Sequence, residues 1–554
     1  MIRHDIERML EQALQEAHAR GLLPATGFAE VAVEHPQNAE RGDFASSLPL
    51  KIARSARMDP LAVAKAIVGL LPASDAIENV EIAPPGFINF KLKPTWLAAQ
   101  VDAILQAGER WGDTDIGKGA KVQVEFVSVN PTGPLHVGHG RGAVLGSTLA
   151  SILQAAGYDT EREYYLNDAG AQIMAFGRSL YARYAQALGV DEPMPPAPNA
   201  YMGDYMIDLA KQIADEHGDG YLSLPREQAL DALAHVGIAC MVESIKADLA
   251  LLGVQFDQWY SERSLYEESQ YERAMKLLQE GKHVARKEGA TWFVSSALGE
   301  DKDNVLVRSD GTPTYFASDI AYHFNKFVER GFEQVINIWG ADHAGHVSRM
   351  KAAVGALGIN PNRLKVIITQ MVSLRRGTEL VKASKRTGQI VTLRDVIDEV
   401  GADACRFNFL SRSADSQMDF DLELAKRQSA DNPVYYVQYA HARIASILRN
   451  AAARGIDHSQ GDVSLLTGEP ELALIRKMLL LTELVELGAQ NLEPHHLPHY
   501  AQDVATVFHG FYDRLRVISD DEALTGARLK LVQAAQITLA RTLQLMGMTA
   551  PERM

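Results

Sequence analysis

Two histidines with two residues between them, His136 and His139, close the segment Asn130-Pro131-Thr132-Gly133-Pro134-Leu135-His136-Val137-Gly138-His139. Imidazoles at that spacing can donate hydrogen bonds to phosphate oxygens, and the N-terminus of a following helix favours an anion. Gly138 leaves bare backbone against which a flat base could lie. Taken alone, the segment also fits a solvated turn. A second segment, Lys382-Ala383-Ser384-Lys385-Arg386-Thr387-Gly388, gathers two lysines and an arginine in a loop. Such a loop suits a leaving pyrophosphate, whose charge grows in the transition state. By itself a basic loop is an ordinary solvated surface. The two segments in this order, each with a fitting structural context, point to nucleoside triphosphate chemistry.

The elements around them read as alternating strands and helices. Val122, Val124 and Phe126 alternate with Gln123 and Glu125, which predicts a strand ending just before the first segment. Leu145, Thr148, Leu149, Ile152 and Leu153 then form a helical stripe that stops at Gly157. A second strand is expected over Val335 to Trp339, followed by a helix through Val347, Met350, Val354 and Leu357, and a third strand over Val366 to Leu374. Thr392 and Asp395 predict a capping box after the basic loop. This alternation implies a parallel sheet with crossovers, whose carboxyl edge binds ligands. Pro193, Pro195, Pro196 and Pro198 open a polar insertion that decorates the sheet to about residue 300.

Upstream, Gly86 to Leu92 reads as a strand, and the Gly- and Asp-rich stretch Gly108 to Gly119 as a linker. From Asn432 onward strand signals disappear. Val434, Val437, His441, Ile444 and Leu448 repeat at helical spacing, and Leu472 to Leu487 is helical too, which predicts an all-helical bundle. The expected domains are therefore 1–112, 113–430 with an insertion at about 190–300, and 431–554.

Bulk properties agree with a multidomain globular chain: 554 residues, 47% hydrophobic and 23% charged. A formal net charge of −15 argues against a protein that merely coats RNA, although a basic stripe can sit on an acidic body. No apolar run approaches the ~20 residues of a membrane helix. Near the N-terminus Ile6, Met9, Leu10, Ala13 and Leu14 form a helical stripe among Asp5, Glu7, Arg8 and Glu11, unlike a signal peptide. Cys240 and Cys405 supply neither a disulfide framework nor a four-cysteine zinc site, so a reducing cytoplasm is expected.

Together the two segments resemble the HIGH and KMSKS signatures of class I aminoacyl-tRNA synthetases. Glu125, Asn130 and the pair Tyr315 and Asp319, at i and i+4 of a candidate helix, resemble the pocket of arginyl-tRNA synthetases. The string Asn432-Pro433-Val434-Tyr435-Tyr436-Val437-Gln438-Tyr439-Ala440-His441-Ala442-Arg443 and the closing Ala550 to Met554 resemble the same family, so the likeness covers nearly the whole chain. It implies an α/β multidomain protein: a Rossmann-like parallel-sheet catalytic domain, an α+β N-terminal domain and an all-α C-terminal helical bundle. It also implies an arginine–tRNA ligase that uses ATP with Mg²⁺ as substrate complex, L-arginine and tRNA-Arg. Nothing in the sequence demands more than a monomer, and no structural metal or membrane is expected.

Residue by residue, the resemblance assigns His136, His139, Lys382 and Lys385 to catalysis by phosphate handling, with Gly138 and Ser384 joining them in binding ATP. Tyr315 and Asp319 would hold the guanidinium with help from Glu125, while Asn130 and Asp342 would face the α-amino and carboxylate end. A guanidinium offers a fork of donors that carboxylates satisfy in pairs; a lysine ammonium would leave part of that fork-shaped site unpaired. Such sites discriminate by ~10⁴–10⁵ without editing. Phe87 and Asn89 correspond to positions used against a flipped-out tRNA base, and Tyr436, Tyr439 and His441 to anticodon contacts. The family pattern further implies that tRNA binds before activation begins. Ala383 departs from it, standing where methionine is usual, which puts the mobility of that loop in doubt.

Plainer readings exist for each residue. Phe87 could be core of a small sheet, His441 a satisfied core histidine, and Tyr315 with Asp319 a solvated helix face. The same two motifs also serve other ligases and nucleotidyltransferases of the superfamily, though small nucleotidyltransferases lack a long helical C-terminal domain and a cysteine-specific enzyme would need zinc ligands. A non-catalytic RNA-binding descendant would have no use for His136, His139, Lys382 and Lys385.

Overall fold

The computed structural model describes residues 1–24, 30–36, 38–196, 200–381 and 391–554. The helix Ile2–Ala19 buries Ile6, Leu10, Ala13 and Leu14 of the stripe read from sequence and leaves Met9 partly exposed. It belongs to an N-terminal layer with strands β1 (Phe44–Ser46), β2 (Ile77–Ala83) and β3 (Phe87–Leu92), antiparallel in the order β1-β3-β2. Alternation along β3 sends Ile88, Phe90 and Leu92 into the core.

The chain then lays down β4 (Lys121–Glu125), β5 (Asp159–Leu166), β6 (Gln258–Ser261), β7 (Val284–Lys287), β8 (Ala290–Phe293), β9 (Asn304–Val307), β10 (Gln334–Gly340), β11 (Leu364–Thr369), β12 (Val372–Arg376), β13 (Glu379–Leu380) and β14 (Met418–Asp421). Five of them form one all-parallel sheet in the order β11-β10-β4-β5-β6. The first expected strand is central, and helices cover both faces, so even its polar residues Gln123 and Glu125 are buried.

Two expectations are corrected. The run Val366 to Leu374 is two strands: β11 ends at Thr369, and β12 joins β13 and β14 in a separate sheet. Apolar residues flank the break on both sides, but at Thr369-Gln370 the backbone turns aside and the Gln370 amide donates to the Ala414 carbonyl at 2.9 Å. The insertion of about 190–300 is not only decoration, since it contains β6, an edge strand of the main sheet. Four residues of strand are too few for a periodic signal.

The helix Val137–Ala155 packs so closely on β4 that a Cβ on Gly146 would lie 2.1 Å from Cγ of Phe126. The helix Arg226–Leu251 is, among the described residues, long and apolar enough to cross a membrane by length and composition, but Asp231, Glu243, Lys246 and Asp248 interrupt it, so it is no unbroken apolar run. It packs Leu233, Ala234, Ile238 and Met241 into one cluster with Ile173, Phe176 and Leu180 and with Met206, Leu209 and Ile213. The C-terminal bundle comprises Pro433–Ala453, Glu469–Asn491, His496–Arg514 and Glu522–Leu545. Buried Arg406 ties its end to the helices Val137–Ala155 and Arg226–Leu251, donating to the carbonyls of Met546 and Leu252 and to Ser147 Oγ. Arg476 of the bundle reaches Asp43 of the N-terminal layer at 2.6 Å.

Candidate active site

The carboxyl edge of β4 opens the site. After Phe126 the chain passes Val127 and Ser128, both at positive φ (69° and 42°), a strained path for a β-branched residue. Ser128 Oγ then accepts the Tyr165 amide at 3.0 Å. His136 caps the helix Val137–Ala155. Its Nδ1 accepts the Gly138 amide at 3.1 Å, and His139 Nδ1 accepts the His136 amide at 3.3 Å. Amides only donate, so each neutral imidazole keeps its proton on Nε2. Burial lowers the basicity of both rings; that of His139 falls to about 3, with the neighbouring His136 adding to the effect. The helix entry thus offers two neutral Nε2–H donors beside a positive dipole end, a suitable arrangement for phosphate oxygens. A Cβ on Gly138 would press the His136 ring at 3.0 Å, so the glycine makes room for that ring.

Lys382, Ser384 and Lys385 lie outside the described residues. The chain that follows them is anchored at the first motif. Thr392 pairs with His136 as an isolated antiparallel bridge, and Leu393 donates to the Leu135 carbonyl at 2.7 Å. Thr392 and Asp395 form the expected capping box on the helix Leu393–Val400.

A second cluster lies deeper along the same sheet edge. Tyr315 and Asp319 do share one helix, Tyr315–Phe324, with Tyr315 half exposed. Burial, then the carboxylates of Glu262 and Glu125, push the Asp319 carboxyl up to about 7 against the pull of Arg349 and Lys326. Glu262 is also raised to about 7 by burial, with Asp168 adding to the shift and a Ser318 hydrogen bond opposing it. Between these acids sits the Tyr165 hydroxyl, buried and without a hydrogen-bond partner. Burial first, then Glu262, Asp319 and Glu125, raise its phenol well above the ordinary value. Lys326 matches Glu125, but Asp319 and Glu262 form no ion pair among the described residues, and such buried acids around an unpaired hydroxyl are costly unless a cationic ligand completes them.

Asn130 lies on the exposed rim and donates to Gln172 Oε1 at 2.5 Å. Asp342 sits on an exposed turn, paired with His343 Nε2 at 3.3 Å rather than with the buried acids. Sequence reasoning missed Glu262, Tyr165 and Lys326. Glu262 directly follows β6 and could have been sought at that strand's carboxyl end; Lys326 was visible as a lone lysine between Phe324 and Phe327.

Three family models match the chain: "Arginyl tRNA synthetase N terminal domain" over residues 4–92, "tRNA synthetases class I (R), catalytic domain" over 100–421 and "DALR anticodon binding domain" over 437–554. An arginine–tRNA ligase of Dehalococcoides mccartyi strain CBDB1 is 56% identical over 553 residues, covering 100% of this chain and 99% of that one. The chain belongs to the arginyl-tRNA synthetases. One from Caldanaerobacter subterraneus is 47% identical over 556 residues, covering 100% of this chain and 99% of the relative. The solved Thermus thermophilus arginyl-tRNA synthetase shares the fold, with a TM-score of 0.80 at 24% identity over all of both chains. As a class I arginine–tRNA ligase, the protein uses ATP to charge tRNA with arginine.

The candidate RNA-facing residues of this synthetase divide by burial. Phe87 is half-buried and Asn89 buried at 5% exposure, both on the face of β3 opposite Ile88 and Phe90. The core aromatic of that strand is Phe90. In the bundle Tyr439 is 40% exposed and stacks on Tyr435 with centroids 6.0 Å apart. Tyr436 packs against His509 in a tilted pair with centroids 5.1 Å apart. His441 is buried with Nδ1 on the Pro551 carbonyl at 2.9 Å, the satisfied core histidine of the plainer reading.

Proposed function

We propose that Asp319, Glu262, Tyr315 and the Tyr165 hydroxyl receive the guanidinium of L-arginine, with Glu125 beside them and Asn130 and Asp342 toward its α-amino and carboxylate end. His136 and His139 then bind ATP, which enters with Mg²⁺, and Gly138 gives its base access to the backbone. Lys382, Ser384 and Lys385 meet the pyrophosphate as it leaves. The arginine carboxylate attacks the α-phosphate, forming arginyl-adenylate and releasing pyrophosphate. A ribose hydroxyl of the terminal adenosine of tRNA-Arg next attacks the adenylate carbonyl, and AMP departs. Little acid–base chemistry is required; position and charge stabilisation supply the rate.

The observation that carries this reading is the unpartnered Tyr165 hydroxyl among Glu262, Asp319 and Glu125, at the same sheet edge as the histidine-capped helix. Phe87, Tyr436 and Tyr439, exposed or half-buried rings that stack well on unpaired bases, are the RNA-facing residues. The buried Asn89 amide, on the same strand face as Phe87, reaches a base only if that face opens. In this reading residues 1–112, 113–430 and 431–554 respectively hold the tRNA corner, the chemistry and the anticodon, in a monomer of the cytoplasm.

ATP–pyrophosphate exchange with each amino acid, with and without tRNA, tests the proposal. Exchange with arginine alone, dependent on tRNA, is the expected result. Exchange with another amino acid would discard the pocket while keeping the nucleotide site, and exchange without tRNA would discard the ordered binding.

A further inference from the structure

The helix bearing Tyr315 and Asp319 does not end normally. It runs into a π-turn, Asn325–Glu329, an irregular geometry that costs stability and clusters at functional sites. Inside that turn Lys326 is fully buried. Its Nζ donates to Glu125 Oε2 at 2.5 Å and to Asn337 Oδ1 at 3.1 Å, and lies 4.1 Å from the centroid of the Tyr322 ring. The amide of Asn337 is oriented in turn: its Nδ2 donates to His323 Nε2 at 3.0 Å, while His323 Nδ1 donates to the Asp319 carbonyl at 2.7 Å. One chain of hydrogen bonds therefore runs from the backbone of Asp319 through His323, Asn337 and Lys326 to Glu125. Tyr315, Asp319, Tyr322 and Lys326 follow at helical spacing and make a single stripe toward the pocket.

We propose that Lys326 is a positioning residue of the arginine pocket: its ammonium permanently occupies Glu125, holding that carboxylate in place and leaving Asp319 and Glu262 as the acceptors open to an incoming guanidinium. The inference rests on the pocket reading above. A resident ammonium also removes Glu125 as a partner for a compact lysine head group, so Lys326 favours a planar fork of donors over a point charge. Without it, Glu125 becomes an uncompensated buried carboxylate, which must neutralise, recruit water or swing toward the ligand.

The test uses the full chain with tRNA and measures steady-state aminoacylation and thermal midpoint for K326M, E125Q, the double variant and D319N. K326M should raise the arginine KM about tenfold or more with kcat changed far less, and should narrow the preference for arginine over lysine. Because the effect passes through Glu125, E125Q/K326M should show the same arginine KM as E125Q alone. An arginine KM within about twofold of the parent in K326M overturns the inference, as does a further rise in the double variant over E125Q. If K326M does not fold, the comparison of E125Q with the double variant, which buries no unpaired acid, decides alone. D319N separates the two readings: an unchanged arginine KM there overturns the pocket itself, whereas a raised KM in D319N beside an unaffected K326M overturns only the role of Lys326.

Discussion

His139 lies against His136 with ring centroids 3.4 Å apart, and each ring spends its Nδ1 on a backbone amide of the same helix turn. Among the described residues nothing within the chain takes up either Nε2. The pair is a helix cap turned into a two-donor cradle, with tautomers set by backbone amides rather than by a carboxylate.

Replacing either histidine by alanine removes one transition-state donor and should lower the rate of arginine activation by ~10²–10³. Because burial keeps both rings neutral, with His139 titrating at about 3, the activation rate at saturating arginine should stay level between pH 6.5 and 8.5. Pyrophosphate exchange measured across that range checks both points; a sharp loss on the alkaline side would show that a protonated imidazole is required.

Arginine binding should strengthen with pH. Burial and like charges hold Asp319 and Glu262 at about 7 in the folded protein, against about 4 in an unfolded chain. Between those values the folded state keeps protons that the unfolded chain has released, so ligand-free stability falls as pH rises from about 4 to 7 and levels off above. A cationic ligand selects the deprotonated acids. Calorimetry in buffers of different ionisation enthalpy should detect proton release on arginine binding near pH 6.5, and D319N should reduce it. Binding without proton release would sink the coupling.

Two glycines of one helix should respond in opposite directions. A Cβ at Gly146 collides with the Phe126 ring, while one at Gly142 meets nothing within 4 Å. G146A should therefore lose about 1–3 kcal/mol through overpacking, and G142A should gain about 0.4–1 kcal/mol from a less flexible unfolded chain. Denaturant midpoints of the two variants give the comparison.

Phe87 and Phe90 make a similar contrast on one strand. F87A should raise the tRNA KM by roughly 5- to 150-fold, the worth of one stacked base at about 1–3 kcal/mol, without moving the arginine KM or the thermal midpoint. F90A empties a fully buried position and should instead destabilise the protein by about 3–5 kcal/mol. A tRNA KM unchanged in F87A would return that side chain to a purely structural role.

Much of this architecture was legible before the structure. The alternation of Val122 and Val124, the stripe through Leu149 and Leu153, and the Thr392–Asp395 cap are local patterns within a turn or two of chain, and all three formed as read. The break at Gln370 was hidden because the stretches 366–368 and 371–374 both carry apolar residues on either side of it; which sheet each strand joins depends on partners far away in sequence. β6 was hidden by its shortness.

The sequence by itself determined the histidine motif at the end of β4 and the helical spacing of Tyr315 and Asp319, because spacing acts over a few residues; that the pair belongs to an arginine pocket came from the family resemblance. Only the tertiary structure decided that Glu262 joins Asp319 from another strand end, that Tyr165 points an unpaired hydroxyl between them, and that Lys326 closes on Glu125 201 positions away. Charge balance in a buried pocket is a sum over groups that the chain brings together from distant segments, and no local pattern carries that sum.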